Sequence, residues 1–497
     1  MGTQGELILT IDGGGTSAKV SAYSISSHHA VASAAVEYAA SYPAFEFAEF
    51  DPDSWWAAVV RAIRLTVERA AVDPSSYVGI TCTGMRIPFL LLDANGATLA
   101  PGVLNVDRRG QGYLDRVRSA LGPERLYELT GHWPNSKFGL PKLLWFADRQ
   151  PELWGRVRHV LQFHDWLIYG LSGELVSEPS SAAMSQLVDV RARSWATELF
   201  EALQLDIELF PPMTDAGTRA GGLLAPVAHE TGLLAGTPVH VGGGDSHTSA
   251  LGAGGIRPGD ICIIGGSTTP VMLASEDVLL DPVQVPLVSP HLRPGLWAAE
   301  TNAGVTGVLY TWLRNLSTPF LGDGGQEGIG SYFAIDELAG SSPLGARDLL
   351  VACANPFWSE DAWDRVPPIS IVGLTPAHSL GDVARAILEC ICHAVRGNLN
   401  ALEASLHGPS GRIVFTGGTS RSPFAAQMLS DVLGRPVSVA EVPEPSAVAG
   451  AILVSGDQAV GSPRHTLYEP DPGRHSAYEA YGDRYRDLFA RLQEAFA

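Results

Sequence analysis

The chain has 497 residues, with 33 Lys and Arg against 53 Asp and Glu, a formal net charge of −20. A surface that negative repels phosphate backbones and excludes nucleic acid as an expected partner. One hydrophobic core stops growing near roughly 250–300 residues, so two domains are expected, and 45% hydrophobic against 17% charged residues excludes a disordered chain.

Glu6–Ile11 (ELILTI) reads as a buried strand. It breaks at Asp12–Ser17 (DGGGTS) and resumes as an extended segment, Ala18–Ile25, which makes a hairpin rather than the strand-to-helix entry of a dinucleotide fold. Pro52–Ala71 places Trp55, Val59, Ile63 and Val67 at i, i+4 spacing, predicting a helix with Asp53 or Ser54 as N-cap. The strands Tyr77–Thr81 and Leu99–Leu104 lead into the polar segments Thr83–Arg86 (TGMR) and Asn105–Arg109 (NVDRR). Pro141–Ala147 and Ala384–Leu402 are apolar-striped helices, and 205–225 and 317–347, rich in Pro and Gly, read as loops or small excursions. Pro238–Asp245 (PVHVGGGD) is another strand running into glycines, and Asp260–Leu273 repeats the strand, Gly/Ser/Thr turn and strand of the N-terminal hairpin. Arg412–Thr416 is a strand, Gly417-Gly418 a turn, and Ser422-Pro423 an N-cap and first helical position, with Gly434 and Pro436 closing that helix. The repeated hairpin predicts two related halves around a cleft, each opening with a phosphate-sized turn.

Only Lys19, Lys137 and Lys142 are lysines, and no Gly-Lys pair exists, so a P-loop is excluded. A nucleotide would have to be held by backbone N–H groups, hydroxyls and a metal. The five cysteines are scattered without a C-x-x-C, which suits a reducing cytosol. Glu6 before a short strand does not fit a signal peptide, and no run reaches about 18 apolar residues, so a soluble cytoplasmic protein without membrane contact is expected.

Consecutive glycines let a backbone approach an anion and aim N–H groups at it. Asp12–Lys19 is one such turn, with Thr16 and Ser17 adding hydroxyls and Asp12 able to hold Mg²⁺ directly or through water. A glycine-rich hairpin with no ligand reads the same way at this level. Asp245, after Gly242–Gly244, suits a general base, although an Asp after glycines is more often a turn or cap residue; Gly265–Thr269 and Gly417–Ser420 are further nests of N–H groups. Arg86, Asp107 and Arg109 stand at strand ends, where ligands or surface ion pairs are both natural.

Taken in order, these motifs resemble the FGGY carbohydrate kinases, the group containing xylulokinase, glycerol kinase and gluconate kinase. DGGGTSAK (12–19), KLLWFADRQPELW (142–154), HDWLIYGLSGE (164–174), GGGDS (242–246), GGSTT (265–269) and GGTSRSPFAAQMLSDVLGRPV (417–437) are collinear with the family over nearly the whole chain. The resemblance implies an α/β fold of two duplicated ribonuclease-H-like (actin/hexokinase/Hsp70-like) domains, 1–250 on the sugar side and 251–497 on the nucleotide side. It implies ATP and Mg²⁺ as requirements, a small sugar as acceptor and a homodimer as the family habit. Residue by residue, it makes Asp245 the catalytic base and, with Asp12, a Mg²⁺ contact. Gly13, Gly14, Thr16 and Ser17 fall on the first phosphate turn, Gly266, Ser267 and Thr268 on the second, and Gly417 and Gly418 on the adenine-side turn. Met85, Arg86, Asp107, Arg109 and Asp245 fall at sugar-contact positions. Xylulokinases read Gln-Met-His where this chain has Gly84-Met85-Arg86, and Trp-x-Asp where it has Asn105-Val106-Asp107; both departures resemble the autoinducer-2 kinase branch. The expected activity is transfer of the γ-phosphoryl group of ATP to a sugar hydroxyl, with a ketopentose such as xylulose first, a dihydroxy-pentanedione next, and polyols or aldonates open. A non-catalytic sugar or nucleotide sensor, and a chaperone-type ATPase, are the alternatives of another class.

Overall fold

The structure, a computed structural model, describes residues 6–255, 257–283, 285–321, 329–359, 368–406 and 410–496. The apolar run after Glu6 forms β1 (Leu7–Gly13), with Leu7, Ile8, Leu9 and Ile11 all buried, as a strand covered on both faces requires. The glycine turn reverses it into β2 (Ser17–Ser24), antiparallel with Asp12 opposite Lys19, and β3 (His29–Glu37) continues antiparallel on β2. On the other side of β1 lie β4 (Tyr77–Gly84), an antiparallel edge strand β5 (Arg219–Gly222) and β6 (Pro238–Gly244). Strands β1, β4 and β6 are parallel neighbours, and the sheet runs β5-β6-β4-β1-β2-β3.

The second sheet repeats this plan. Its hairpin is β7 (Ile261–Ile264) and β8 (Pro270–Ser275), extended by β9 (Leu287–Pro290) and β10 (Trp297–Asn302). Strands β11 (Ile413–Thr416) and β12 (Val437–Ala440) add parallel to β7, and β13 (His465–Tyr468) closes the edge antiparallel. The order is β9-β10-β8-β7-β11-β12-β13. Leaving β9 aside, both sheets have the same succession of parallel and antiparallel pairs and differ in chain order only at one edge, where β5 precedes its partner β6 and β13 follows its partner β12; this is the duplicated ribonuclease-H-like architecture expected from the repeated hairpin.

Helix α1 (Pro52–Ala70) buries Trp55, Val59, Ile63 and Val67 as its spacing predicts. Its cap, however, is Asp51 rather than Asp53 or Ser54: Asp51 accepts from the Ser54 N–H at 3.3 Å. Pro52 occupies the first turn, where its missing N–H costs nothing, so the capping side chain must precede it. The strand expected at Leu99–Leu104 contracts to Gly102–Val103, Pro101 having no N–H to give a ladder. The segment 317–347 is not mainly loop: helices Gly307–Leu321 and Ile329–Ser341 cover most of its described part, and Ile335 and Ala339 are buried in the second core. Tertiary packing outweighs the poor helix propensity of its glycines.

Four more helices frame the cleft. Asp245 comes just past the strand β6, as expected, and is the first residue of α2 (Asp245–Gly252). Helix α3 (Leu380–Ala404) is capped reciprocally by Ser379 and Asp382, and α4 (Pro423–Leu433) starts on the Ser422 cap and ends at Gly434 as predicted. Helix α5 (Pro445–Ser455), from the second half of the chain, lies on the first sheet, where Ala447, Ala449, Ala451 and Ile452 pack with Ile8, Tyr23 and Leu251. This apolar seam joins the halves and delivers the start of α5 to the first glycine turn. Among the described residues no helix is long and apolar enough to cross a membrane.

Candidate active site

Strands β1, β4 and β6 end in register, with Gly13 opposite Gly84 and Gly84 opposite Gly244. Neighbouring strands are about 4.8 Å apart. The segments that follow (the first glycine turn, Met85-Arg86 and Asp245) are therefore gathered within about 10 Å along the carboxyl edge of a parallel sheet, where α/β folds collect ligands.

Asp12 is the penultimate residue of β1. It accepts from the Ser446 hydroxyl at 3.1 Å, and beside it Lys19 pairs with Glu444 at 2.9 Å. Desolvation by the surrounding protein, and then the negative charge of Asp245, push the Asp12 carboxyl up to about 6, against the pull of Ser446 and Lys19. The turn after it is pinned by Tyr38, whose hydroxyl donates to the Gly14 carbonyl, whose N–H donates to the Thr16 carbonyl at 3.0 Å and whose ring stacks on Trp55 at 3.8 Å. Thr16 is exposed and Ser17 half-buried, while Met85 is buried and donates its N–H to the Gly13 carbonyl at 3.1 Å.

Asp245 stands at the N-terminus of α2, where a negative charge is favoured. Ser246 N–H donates to its Oδ1 at 2.7 Å, and 44% of its side chain stays open to the cleft. Arg86 Nε lies 3.8 Å from the same oxygen. Desolvation raises the Asp245 pKa, Arg86 lowers it and Glu300 raises it again. Glu300 on β10 faces both terminal nitrogens of Arg86: Nη2 donates to Oε1 at 2.9 Å, and Nη1 lies 2.9 Å from Oε2 as an ion-pair contact rather than a hydrogen bond. Arg86 can lie flat here because residue 244 is glycine; a Cβ there would sit 2.5 Å from Arg86 Cδ.

The second sheet supplies the opposite wall. The turn after β7 folds on itself, with Gly266 N–H donating to the Thr268 carbonyl at 3.1 Å, and leaves Ser267 and Thr268 exposed. The turn after β11 rests directly on it: Thr419 N–H donates to the Gly265 carbonyl at 3.1 Å. Gly417 has φ +92°, and a Cβ there would lie 2.6 Å from the Gly265 carbonyl oxygen, so only glycine lets the two turns stack. Gly418 is exposed.

Asp107 and Arg109 are placed differently. The Asp107 carboxylate is fully buried and accepts from Ala48 N–H, Arg109 N–H and the Arg109 guanidinium at 2.8–3.0 Å. Arg109 also reaches Glu49 at 2.6 Å and lies over Phe47 at 4.5 Å from the ring centre. The pair ties the 104–109 segment to the loop before β-strand residues Glu49–Phe50. Lys142, buried and pushed down to about 7 by desolvation, braces the same segment through the carbonyls of Leu104, Asn105 and Lys137 at 2.8–3.2 Å.

Tyr38, Glu300 and the Glu444–Ser446 helix start were missed by sequence reasoning. A lone acid in the apolar strand WAAETN, and the E-P-S start of α5, were the available signals. His247 is buried with Nε2 3.2 Å from Ser289 Oγ, and burial holds it neutral.

Hard carboxylate oxygens on Asp12 and Asp245, each raised in pKa and one by the other, are a donor set that a divalent cation would relieve. Among the described residues no cluster of three or more His, Cys, Asp or Glu could enclose a metal. Mg²⁺ completes its shell from phosphate oxygens and water around one or two carboxylates.

Two like-built sheets facing each other through glycine turns, with carboxylates between them, define a phosphotransferase of the actin-like class. The N-terminal domain of the FGGY family of carbohydrate kinases matches residues 7–252, and its C-terminal domain matches residues 261–456. The chain belongs to this family, whose members phosphorylate a sugar hydroxyl with ATP. It is 26% identical over 459 residues to an autoinducer-2 kinase of Klebsiella pneumoniae, covering 89% of this chain and 86% of the relative. Among solved structures it resembles a xylulose kinase from Rhodospirillum rubrum, at 26% identity and a TM-score of 0.82 over 99% of this chain and 100% of that one. A gluconate kinase from Lactobacillus acidophilus, at 20% identity, shares the fold with a TM-score of 0.83 over 99% of this chain and 100% of that one.

Proposed function

We propose that this kinase phosphorylates a small open-chain polyhydroxy ketone, with Asp245 as general base. The observation that carries the reading is the placement of Asp245: at a helix N-terminus, open to the cleft, electrically coupled to Asp12 and steadied by Arg86. Asp245 accepts the acceptor hydroxyl's proton as that oxygen attacks the γ-phosphorus, and the raised pKa makes it a better base than an ordinary carboxylate. Backbone N–H groups and hydroxyls of Gly13, Gly14, Thr16 and Ser17 on one wall, and of Gly266, Ser267 and Thr268 on the other, meet the phosphates. Gly417 and Gly418 leave bare backbone for the adenine ring. Asp12 and Asp245 would hold Mg²⁺, directly or through water; when bound, the ion neutralises phosphate charge. Met85 and Arg86, with Asp107 and Arg109 behind them, shape the acceptor side. Positioning and neutralisation are what phosphoryl transfer asks of a protein. The same proposal gives residues 1–250 to the acceptor and 251–497 to the nucleotide.

Two acceptors fit the class. Met85-Arg86, together with the autoinducer-2 kinase relatives, favours a dihydroxy-pentanedione; the xylulose kinase likeness favours a ketopentose. The test is ADP release from purified protein with Mg·ATP across D- and L-xylulose, D-ribulose, the autoinducer-2 precursor, glycerol and gluconate. One ketone raising ADP release far above the acceptor-free rate supports the reading and names the substrate. A flat panel with ATP binding confirmed overturns it and favours a sensor.

A further inference from the structure

Arg86 is the cation nearest Asp245, and both of its terminal nitrogens already face a carboxylate. Glu300, only 1% exposed, takes a hydrogen bond from Nη2 and an ion-pair contact from Nη1, each at 2.9 Å, and so stands where a substrate carboxylate would have to sit. The neighbouring cations are engaged as well: Arg109 by Asp107 and Glu49, Lys142 by three carbonyls, and Lys19 by Glu444. A carboxylate-bearing acceptor would have to displace Glu300 from a buried pair, leaving that charge uncompensated, and would still face Asp245 and Asp12.

We propose that Glu300 is the specificity-determining residue for acceptor charge: by holding both terminal nitrogens of Arg86 it withholds them from a carboxylate, so the pocket takes neutral polyhydroxy acceptors and rejects aldonates. This rests on the kinase reading above. Because Glu300 comes from the second sheet and Arg86 from the first, the half that faces the nucleotide sets the chemistry of the half that faces the sugar.

The test compares wild type, Glu300→Gln and Glu300→Asp with Mg·ATP, using D-xylulose, the autoinducer-2 precursor and glycerol as neutral acceptors and D-gluconate as the aldonate. In wild type, gluconate is expected to fall about 100-fold or more below the best neutral acceptor in kcat/KM. Glu300→Gln should narrow that ratio about tenfold or more, and Glu300→Asp should restore it. Gluconate serving as well as the neutral acceptors in wild type overturns the proposal. So does a Glu300→Gln protein that loses all acceptors alike with the ratio unmoved, which is what a merely structural residue would do. Should Glu300→Gln not fold, the wild-type ratio and the Glu300→Asp ratio decide. If no acceptor raises ADP release, the kinase reading fails separately, and thermal-shift titration of wild type decides here: stabilisation by a neutral acceptor but not gluconate supports the proposal, and any other result overturns it.

Discussion

Asp12→Asn separates the stability of this fold from its use. The Asp12 carboxyl titrates at about 6 in the folded protein instead of 3.8, because it is desolvated and faces Asp245. A shift of about two units, at 1.36 kcal/mol each, means that ionised Asp12 works against the fold by up to ~3 kcal/mol. The sign follows from the raised pKa: the folded state binds the proton more tightly. The penalty is therefore absent below the unfolded value of 3.8, grows as pH rises through about 6, and is complete above it. Asparagine keeps an oxygen to accept from Ser446 and carries no charge to desolvate.

The variant should thus be more stable than wild type by about 2–3 kcal/mol at pH 8 and no more stable near pH 4. With an unfolding entropy of about 2.1 cal/mol/K per residue, this is a Tm rise of ~2–3 °C if the whole chain unfolds together, or ~4–6 °C if the first half unfolds alone. Scanning calorimetry without nucleotide at pH 4, 6 and 8 reads it directly. Added Mg·ATP should then stabilise wild type more than the variant, since the same carboxylate is assigned to the ion. A variant no more stable than wild type at pH 8, or more stable by an equal margin at pH 4, refutes the reasoning.

Asp245→Asn should lower kcat by about 10²–10⁴-fold with little change in acceptor KM, and a normal kcat would remove Asp245 as the base. Asp107→Asn leaves Arg109 buried without its principal partner and should cost about 3–5 kcal/mol in urea unfolding; unchanged stability with a raised acceptor KM would instead put Asp107 on the sugar. Gly244→Ala places a methyl 2.5 Å from Arg86 Cδ. Overpacking of about 1–3 kcal/mol should raise the acceptor KM by about 10- to 100-fold while sparing the KM for ATP, and an equal loss in both would deny Arg86 a place on the acceptor side.

Much of this site was legible because it is built from backbone. Apolar runs ending in glycine turns, repeated past the middle of the chain, state two hairpins and two halves, and the parallel strands that follow carry their polar residues at their ends. What was not legible lies in pairings that no local pattern encodes. Asp107 and Arg109 have the composition of ligand residues, yet the loop turns both inward, where each satisfies the other and Ala48 completes the set. The segment 317–347 looked like loop because glycine and proline were read without the core that Ile335 and Ala339 enter.

Arg86 is the instructive case. Its sequence context says only that a guanidinium follows a strand; its chemistry is decided by Glu300, 214 residues away. A free arginine beside Asp245 would invite carboxylates, whereas one already paired with Glu300 does not. The register Gly13–Gly84–Gly244 puts the groups side by side, and the second sheet determines what they can do.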